Sequence, residues 1–218
     1  MRWRRQAFYV AAGLILLSPL EAPQLLAFPY VEQIGTHRIY SEVPIEPELK
    51  AVVRAGDALA AHSSIADADA HQAVFLTNGG WRWAWLTLTF GGAFAISRPG
   101  SEVIIVNRSN PAADAVFTPR NVGGKRALSA TLAHEMTHGA IRKHFGMLAD
   151  WRYPTWLREG YCDYVAGGSS LTDAEAKRLT ASGTPHPALV YWRGRKRVES
   201  ELERNGGSVD GLFARLGA

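Results

Sequence analysis

One stretch constrains this chain more than any other: Leu132-Ala133-His134-Glu135-Met136-Thr137-His138-Gly139, within a segment that reads as a helix. At about 100° per residue, His134 and His138 fall on one helix face, one turn apart. Two imidazoles at that spacing can grip one metal ion, while Glu135 on the flank reaches a metal-bound water rather than the metal. Catalytic zinc takes a third protein ligand and leaves a fourth position open for that water, so the remainder of the chain has to supply a third ligand.

The composition suits one globular domain with a short appendage: 218 residues, 47% apolar and 20% charged, with seven Trp, eight Phe and seven Tyr for a core. The net charge of +4 is modest, and Arg2, Arg4 and Arg5 cluster at the start, so charge gives no sign of nucleic-acid binding. Cys162 is the single cysteine, which excludes an internal disulfide and a Cys-based zinc cluster.

Met1-Arg2-Trp3-Arg4-Arg5 resembles the basic start of a signal peptide, and Gln6 to Leu20 follow without a charge. That run is shorter than the roughly twenty residues of a spanning helix. Leu20-Glu21-Ala22 before Pro23 and Leu25-Leu26-Ala27 are both poor cleavage sites. The expectation is a signal peptide or an uncleaved transmembrane signal-anchor over residues 1–28, with residues 29–218 a single domain. The arginines would stay inside, placing that domain outside the cytoplasm, membrane-anchored or secreted, periplasmic in a bacterium.

Apolar periodicity then outlines an α+β fold. Strand-like alternation runs from Thr36 to Val43, a helix from Glu46 to Ala61, and a strand from Ala73 to Thr77 that ends at Asn78-Gly79-Gly80. Gly56, on the apolar face of the helix, would admit a close neighbour. Trp81 to Phe90 is compatible with helix or strand. Ala93–Ile96 and Glu102–Asn107 read as strands around the turn Arg98-Pro99-Gly100-Ser101, and Asn110 to Gly124 as a loop. From Lys125 the chain reads as helical. The motif helix spans Arg126 to Phe145, Thr155 caps another helix that Gly167 ends, and Thr172-x-x-Glu175 is a capping box. Helical segments near Pro187 to Arg204 and Val209 to Leu216 complete the second half, so the motif helix lies between a small mixed sheet and a helical region.

Two residues compete for the third ligand position. His144 lies six residues after His138, the spacing of the metzincins, but Ile141 stands where that pattern needs a glycine. On a continuing helix His144 sits about 240° from His138 and points away. Glu159 lies 21 residues after His138 on a separate helix. Its surroundings, Trp156-Leu157-Arg158-Glu159-Gly160-Tyr161-Cys162-Asp163-Tyr164, resemble the Trp-x-x-Glu-Gly-x-Ala-x-Tyr signature of gluzincin-type metallopeptidases.

That resemblance implies a zincin-like fold, one Zn2+ ion held by His134, His138 and Glu159, and Asp163 orienting a ligand histidine. It further implies hydrolysis of a peptide or protein substrate, with Glu135 as general base and a downstream Tyr or His, here Tyr191 or His186, at the oxyanion. A sheet edge strand, Ala93 to Ile96 or Val103 to Asn107, would bind the peptide. Cys162 replaces the family's alanine and is expected to pack between helices. A catalytically inactive exported domain of the same fold is the alternative, although a metal-binding relic would have no use for Glu135.

Overall fold

In the computed structural model, which describes residues 2–67, 69–88 and 90–216, alternation and apolar runs become a five-stranded mixed sheet. Met1, Ala68, Thr89, Gly217 and Ala218, which belong to segments read above, lie outside the described residues. Strands β1 (Tyr30–Ile34), β2 (His37–Ser41), β3 (Ala73–Leu76), β4 (Ala95–Ser97) and β5 (Ile104–Val106) take the order β1-β2-β3-β5-β4. β2, β3 and β5 run parallel, with β1 and β4 antiparallel at the edges. The interior strands β3 and β5 are continuous apolar runs because both their faces are covered. β2 alternates, burying His37, Ile39 and Ser41.

Helix α2 (Leu49–Ala60) and α4 (Leu128–Phe145) cover one sheet face with Leu49, Val52, Val53, Leu128, Leu132 and Met136. The expected close approach occurs at Gly56: a Cβ there would lie 3.1 Å from the Ser129 carbonyl oxygen and 3.2 Å from Leu132 Cβ. The other face carries Phe75, Ile105 and Phe28, together with Trp83 and Leu86 of α3 (Trp81–Thr87), which settles that ambiguous segment as helix. The segment read as a loop after Asn110 instead contributes to a small sheet of β6 (Ser109–Asn110), β7 (Ala115–Phe117) and β8 (Lys125–Arg126). Strands of two or three residues leave no periodicity to detect. Asp114, between β6 and β7, caps α4: its carboxylate accepts from Ser129 N at 2.7 Å and from Ser129 Oγ at 2.6 Å.

The second half is helical: α5 (Ala149–Arg152), α6 (Thr155–Val165), α7 (Asp173–Ala181), α8 (Ala188–Arg204) and α9 (Val209–Leu216). Its core joins Ile141 of α4 to Leu157, Tyr161 and Cys162 of α6, Val198 and Leu202 of α8, and Phe213 of α9. Helix α4 therefore serves both cores, as expected of a helix between sheet and bundle. The capping box forms, with Thr172 Oγ1 accepting from Glu175 N at 3.2 Å and Glu175 Oε2 accepting from Thr172 N at 2.8 Å. Thr155 is not a cap; Pro154 holds that position and Thr155 opens the helix.

The expectation of a transmembrane signal-anchor is overturned. Helix α1 (Arg2–Leu17) ends after 16 residues, and among the described residues no helix is long and apolar enough to cross a membrane. Short 3-10 turns follow at Ser18–Leu20 and Pro23–Leu26, each carrying a proline in its first turn that cannot continue an α-helix ladder. Pro19, Pro23 and Phe28 are buried, and Arg82 donates from Nε to the Leu26 carbonyl at 2.8 Å and from Nη2 to the Ala27 carbonyl at 3.1 Å. Part of the presumed appendage is thus packed onto the domain.

Candidate metal centre

Helix α4 presents His134 and His138 on one face, their ring centroids 5.0 Å apart, against Glu159 of α6. Glu159 Oε2 lies 3.2 Å from His134 Nε2 and 3.5 Å from His138 Nε2. His134 Nδ1 lies 2.8 Å from Asp163 Oδ1. An ionised carboxylate only accepts, so Nδ1 donates to Asp163, and the protonated ring donates from Nε2 to Glu159 as well. His134, His138 and Asp163 are buried, as is Glu135.

The electrostatics follow from this burial. Burial opposes the charged ring of His134, but hydrogen bonds to Asp163 and Glu159 outweigh it and raise the pKa to about 9. Glu159 is also opposed by burial, yet the positive field of His138 and its hydrogen bonds to both histidines hold it well below the carboxylate range. Asp163 is lowered against burial by Arg126 first, then by His134.

Asp163 has three partners, two of which sequence reasoning missed. Arg126 Nη2 lies 2.9 Å from Oδ1 and also donates to the Gly168 carbonyl at 2.8 Å; Ser169 Oγ donates to Oδ2 at 2.6 Å. Arg126 is visible in the sequence two residues before α4, but the turn after α6 that meets it is distant in the chain. A second missed group stands one helical turn beyond His138. Arg142 is almost wholly buried, with Nη2 2.8 Å and Nε 3.1 Å from the Glu102 carboxylate and Nη1 3.2 Å from Asp150. Gly139 makes room for this: a Cβ there would stand 2.8 Å from Glu102 Oε2.

Two glycines bring α8 to the site. A Cβ on Gly160 would lie 2.4 Å from the Gly194 carbonyl carbon, and one on Gly194 would lie 2.4 Å from the Trp156 carbonyl oxygen. That crossing sets Tyr191, one turn before Gly194, into the wall of a cleft of about 870 Å3 shared with His134, Glu135, His138 and Glu159. Burial, and then the fields of Glu159, Asp163 and Glu135, push the Tyr191 phenol up to about 12, so it stays a donor. His186 is not in this cleft; its Nδ1 accepts from Ala188 N at 3.2 Å at the start of α8. His144 is also elsewhere, because α4 continues unbroken through Ile141 and sets His144 Nε2 2.6 Å from Asp210.

Glu135 lines the cleft, and among the described residues its carboxylate has no hydrogen-bond partner. The edge-strand question is decided by topology: β5 is paired on both sides, whereas β4 has a free edge and lines the cleft through Ala95, Ile96 and Ser97. Cys162 packs between helices as expected, but its sulfur also lies within 4.8 Å of a nitrogen of each imidazole. Burial, then the carboxylates of Glu159, Glu135 and Asp163, raise the thiol pKa well above its usual range. It is therefore a protonated core side chain beside an ionised Glu159.

The chain matches no protein-family model and no curated protein.

Proposed function

We propose that this chain is a zinc-dependent peptidase of gluzincin type with a zincin-like fold, hydrolysing peptide bonds in the cleft beneath β4. One observation carries the reading: a single Glu159 oxygen faces both imidazole Nε2 atoms at 3.2 and 3.5 Å. Zinc bonds of about 2.0–2.1 Å at a tetrahedral angle put neighbouring ligand atoms roughly 3.3 Å apart, so this donor set suits that ion. His134, His138 and Glu159 would hold it. Bound there, zinc would acidify a water and polarise the scissile carbonyl.

The chain's own residues do the rest. Asp163, held by Arg126 and Ser169, keeps a proton on His134 Nδ1, so that loss of the other frees the Nε2 lone pair for the ion. The Glu135 carboxylate takes a proton from the attacking water and delivers it to the leaving amine. Tyr191 donates its phenolic hydrogen toward the developing oxyanion. The substrate backbone adds to the free edge of β4, which positions an extended peptide across the ligands.

The test combines zinc stoichiometry with turnover of casein or a quenched peptide. The expected result is one zinc per wild-type chain with hydrolysis. Glu135→Ala should keep zinc and lose activity by a factor on the order of 10² or more, and Glu159→Ala should lose zinc affinity. An empty wild-type site in zinc-replete buffer, or full activity in Glu135→Ala, would overturn the reading.

A further inference from the structure

Five arginines line the cleft: Arg98, Arg120, Arg126, Arg142 and Arg158. Three are ion-paired, Arg126 with Asp163, Arg142 with Glu102 and Asp150, and Arg158 with Asp150. Arg98 gives a guanidinium hydrogen to the Leu86 carbonyl and lies in the field of Glu21, another cleft residue. Arg98 forms no ion pair among the described residues either, but it is half-buried, whereas Arg120 is exposed. Among the described residues no carboxylate lies within ion-pair distance of it, and its one hydrogen bond runs from Nη1 to the Gly92 carbonyl at 2.8 Å.

Its position makes that unmatched charge informative. Gly92 leads into β4, so Arg120 stands at the N-terminal end of the strand whose free edge lines the cleft. Gly92 gives the guanidinium room, since a Cβ there would lie 3.1 Å from Arg120 Nη2. Tyr191 and Glu159 line the same cleft as Arg120. A cation with donors to spare therefore stands at the start of the edge strand, in the cleft that His134, His138 and Glu159 also line.

We infer that Arg120 is a specificity-determining residue that binds a carboxylate of the substrate lying along β4. A guanidinium fork matches a carboxylate with two parallel hydrogen bonds, and the part of the fork not given to Gly92 serves that purpose. The inference rests on the cleft being a peptide-hydrolysing site. The carboxylate can belong to an Asp or Glu side chain or to the peptide's own C-terminus, and the experiment separates the two.

Zinc-loaded full-length wild type and Arg120→Gln are compared on peptides that carry Glu or Gln at each position near the scissile bond. Each peptide is made with a free and an amidated C-terminus. Wild type should favour the carboxylate-bearing member of a pair by a factor on the order of ten in kcat/KM, mainly through KM. In Arg120→Gln the ratio should collapse toward one. Because the readout is a ratio within each variant, a general loss of activity does not imitate it. Loss of preference on amidation assigns the C-terminal carboxylate, and loss on Glu-to-Gln exchange assigns a side chain; either supports the inference. No preference in wild type, or an unchanged preference in Arg120→Gln, overturns it. Anisotropy of the same labelled peptides on zinc-loaded Glu135→Ala, with and without Arg120→Gln, gives the answer without turnover. If nothing is hydrolysed, the peptidase reading fails, yet Arg120-dependent binding of the acidic peptides still sustains the anion site and its absence refutes it.

Discussion

Helices α1 and α4 have similar lengths, 16 and 18 residues, and invert the usual relation between polarity and burial. α1 holds the longest uncharged, mostly apolar run of the motifs considered, yet Phe8, Tyr9, Val10, Leu14, Ile15, Leu16 and Leu17 are exposed. α4 carries histidines, a glutamate and an arginine, yet His134, Glu135, His138 and Arg142 are buried. Hydropathy states what a side chain gains by leaving water, but burial also needs a neighbour to pack against. Among the described residues, α1 has no such neighbour over most of its length. Most polar groups of α4 are instead matched: His134 by Asp163 and Glu159, His138 Nε2 by Glu159, and Arg142 by Glu102 and Asp150. Glu135 and His138 Nδ1 have no partner among the described residues. Buried polarity is tolerated where partners meet it, and the unmatched Glu135 is the group that faces the cleft.

The sharpest way to break this comparison is Arg142→Ala. It removes the partner of Glu102 and one of the two partners of Asp150. Because both carboxylates keep some solvent, the expected loss is about 2–3 kcal/mol of unfolding free energy in a urea titration. A loss below about 1 kcal/mol would mean that pairing is not what holds charge inside α4. Next in size is Asp163→Asn, which no longer fixes the His134 proton as an anion; competition with a chelator should read a 10- to 100-fold weaker zinc affinity. Arg126→Ala should move zinc affinity in the same direction by less, since Ser169 and His134 still hold Asp163. The smallest effect belongs to α1: Ile15→Ala should shift stability by no more than about 0.5 kcal/mol by the same titration, because its side chain is already in water. A larger loss would show that α1 has a packing partner in solution.

Much of this molecule was legible in the residues. The motif helix, the helix bearing Glu159, the interior strands, the Gly56 contact and the capping box at Thr172 all rest on local spacing, and local spacing survives folding. β1 was not read because Tyr30 to Ile34 lie between the segment assigned to an anchor and the alternation that begins at Thr36, and the strand is recognisable only once it pairs with β2. The three short strands between Ser109 and Arg126 owe their form to pairing rather than to side-chain pattern. The edge strand could not be picked from β4 and β5 in sequence, because strand order is a long-range property. Cys162 was read correctly as a packing residue, but its nearness to both imidazoles depends on how α6 lies on α4.

In the sequence by itself, residue type and a fixed turn of helix account for the stacking of His134 and His138 and the flank position of Glu135. The resemblance of the surroundings of Glu159 and Asp163 to a known signature made those two residues candidates. Only the tertiary structure decided which distant groups complete the arrangement. Glu159 comes against both imidazoles, Arg126 and Ser169 hold Asp163, Arg142 is neutralised in the interior, and Tyr191 and Arg120 line one cleft. The same packing separated His144 and His186 from the site and folded residues 18–28 onto the domain. The physical reason is one of range: helix and strand periods are set by neighbouring peptide units, whereas partners for buried charge are recruited across the whole chain by the packing of its two cores.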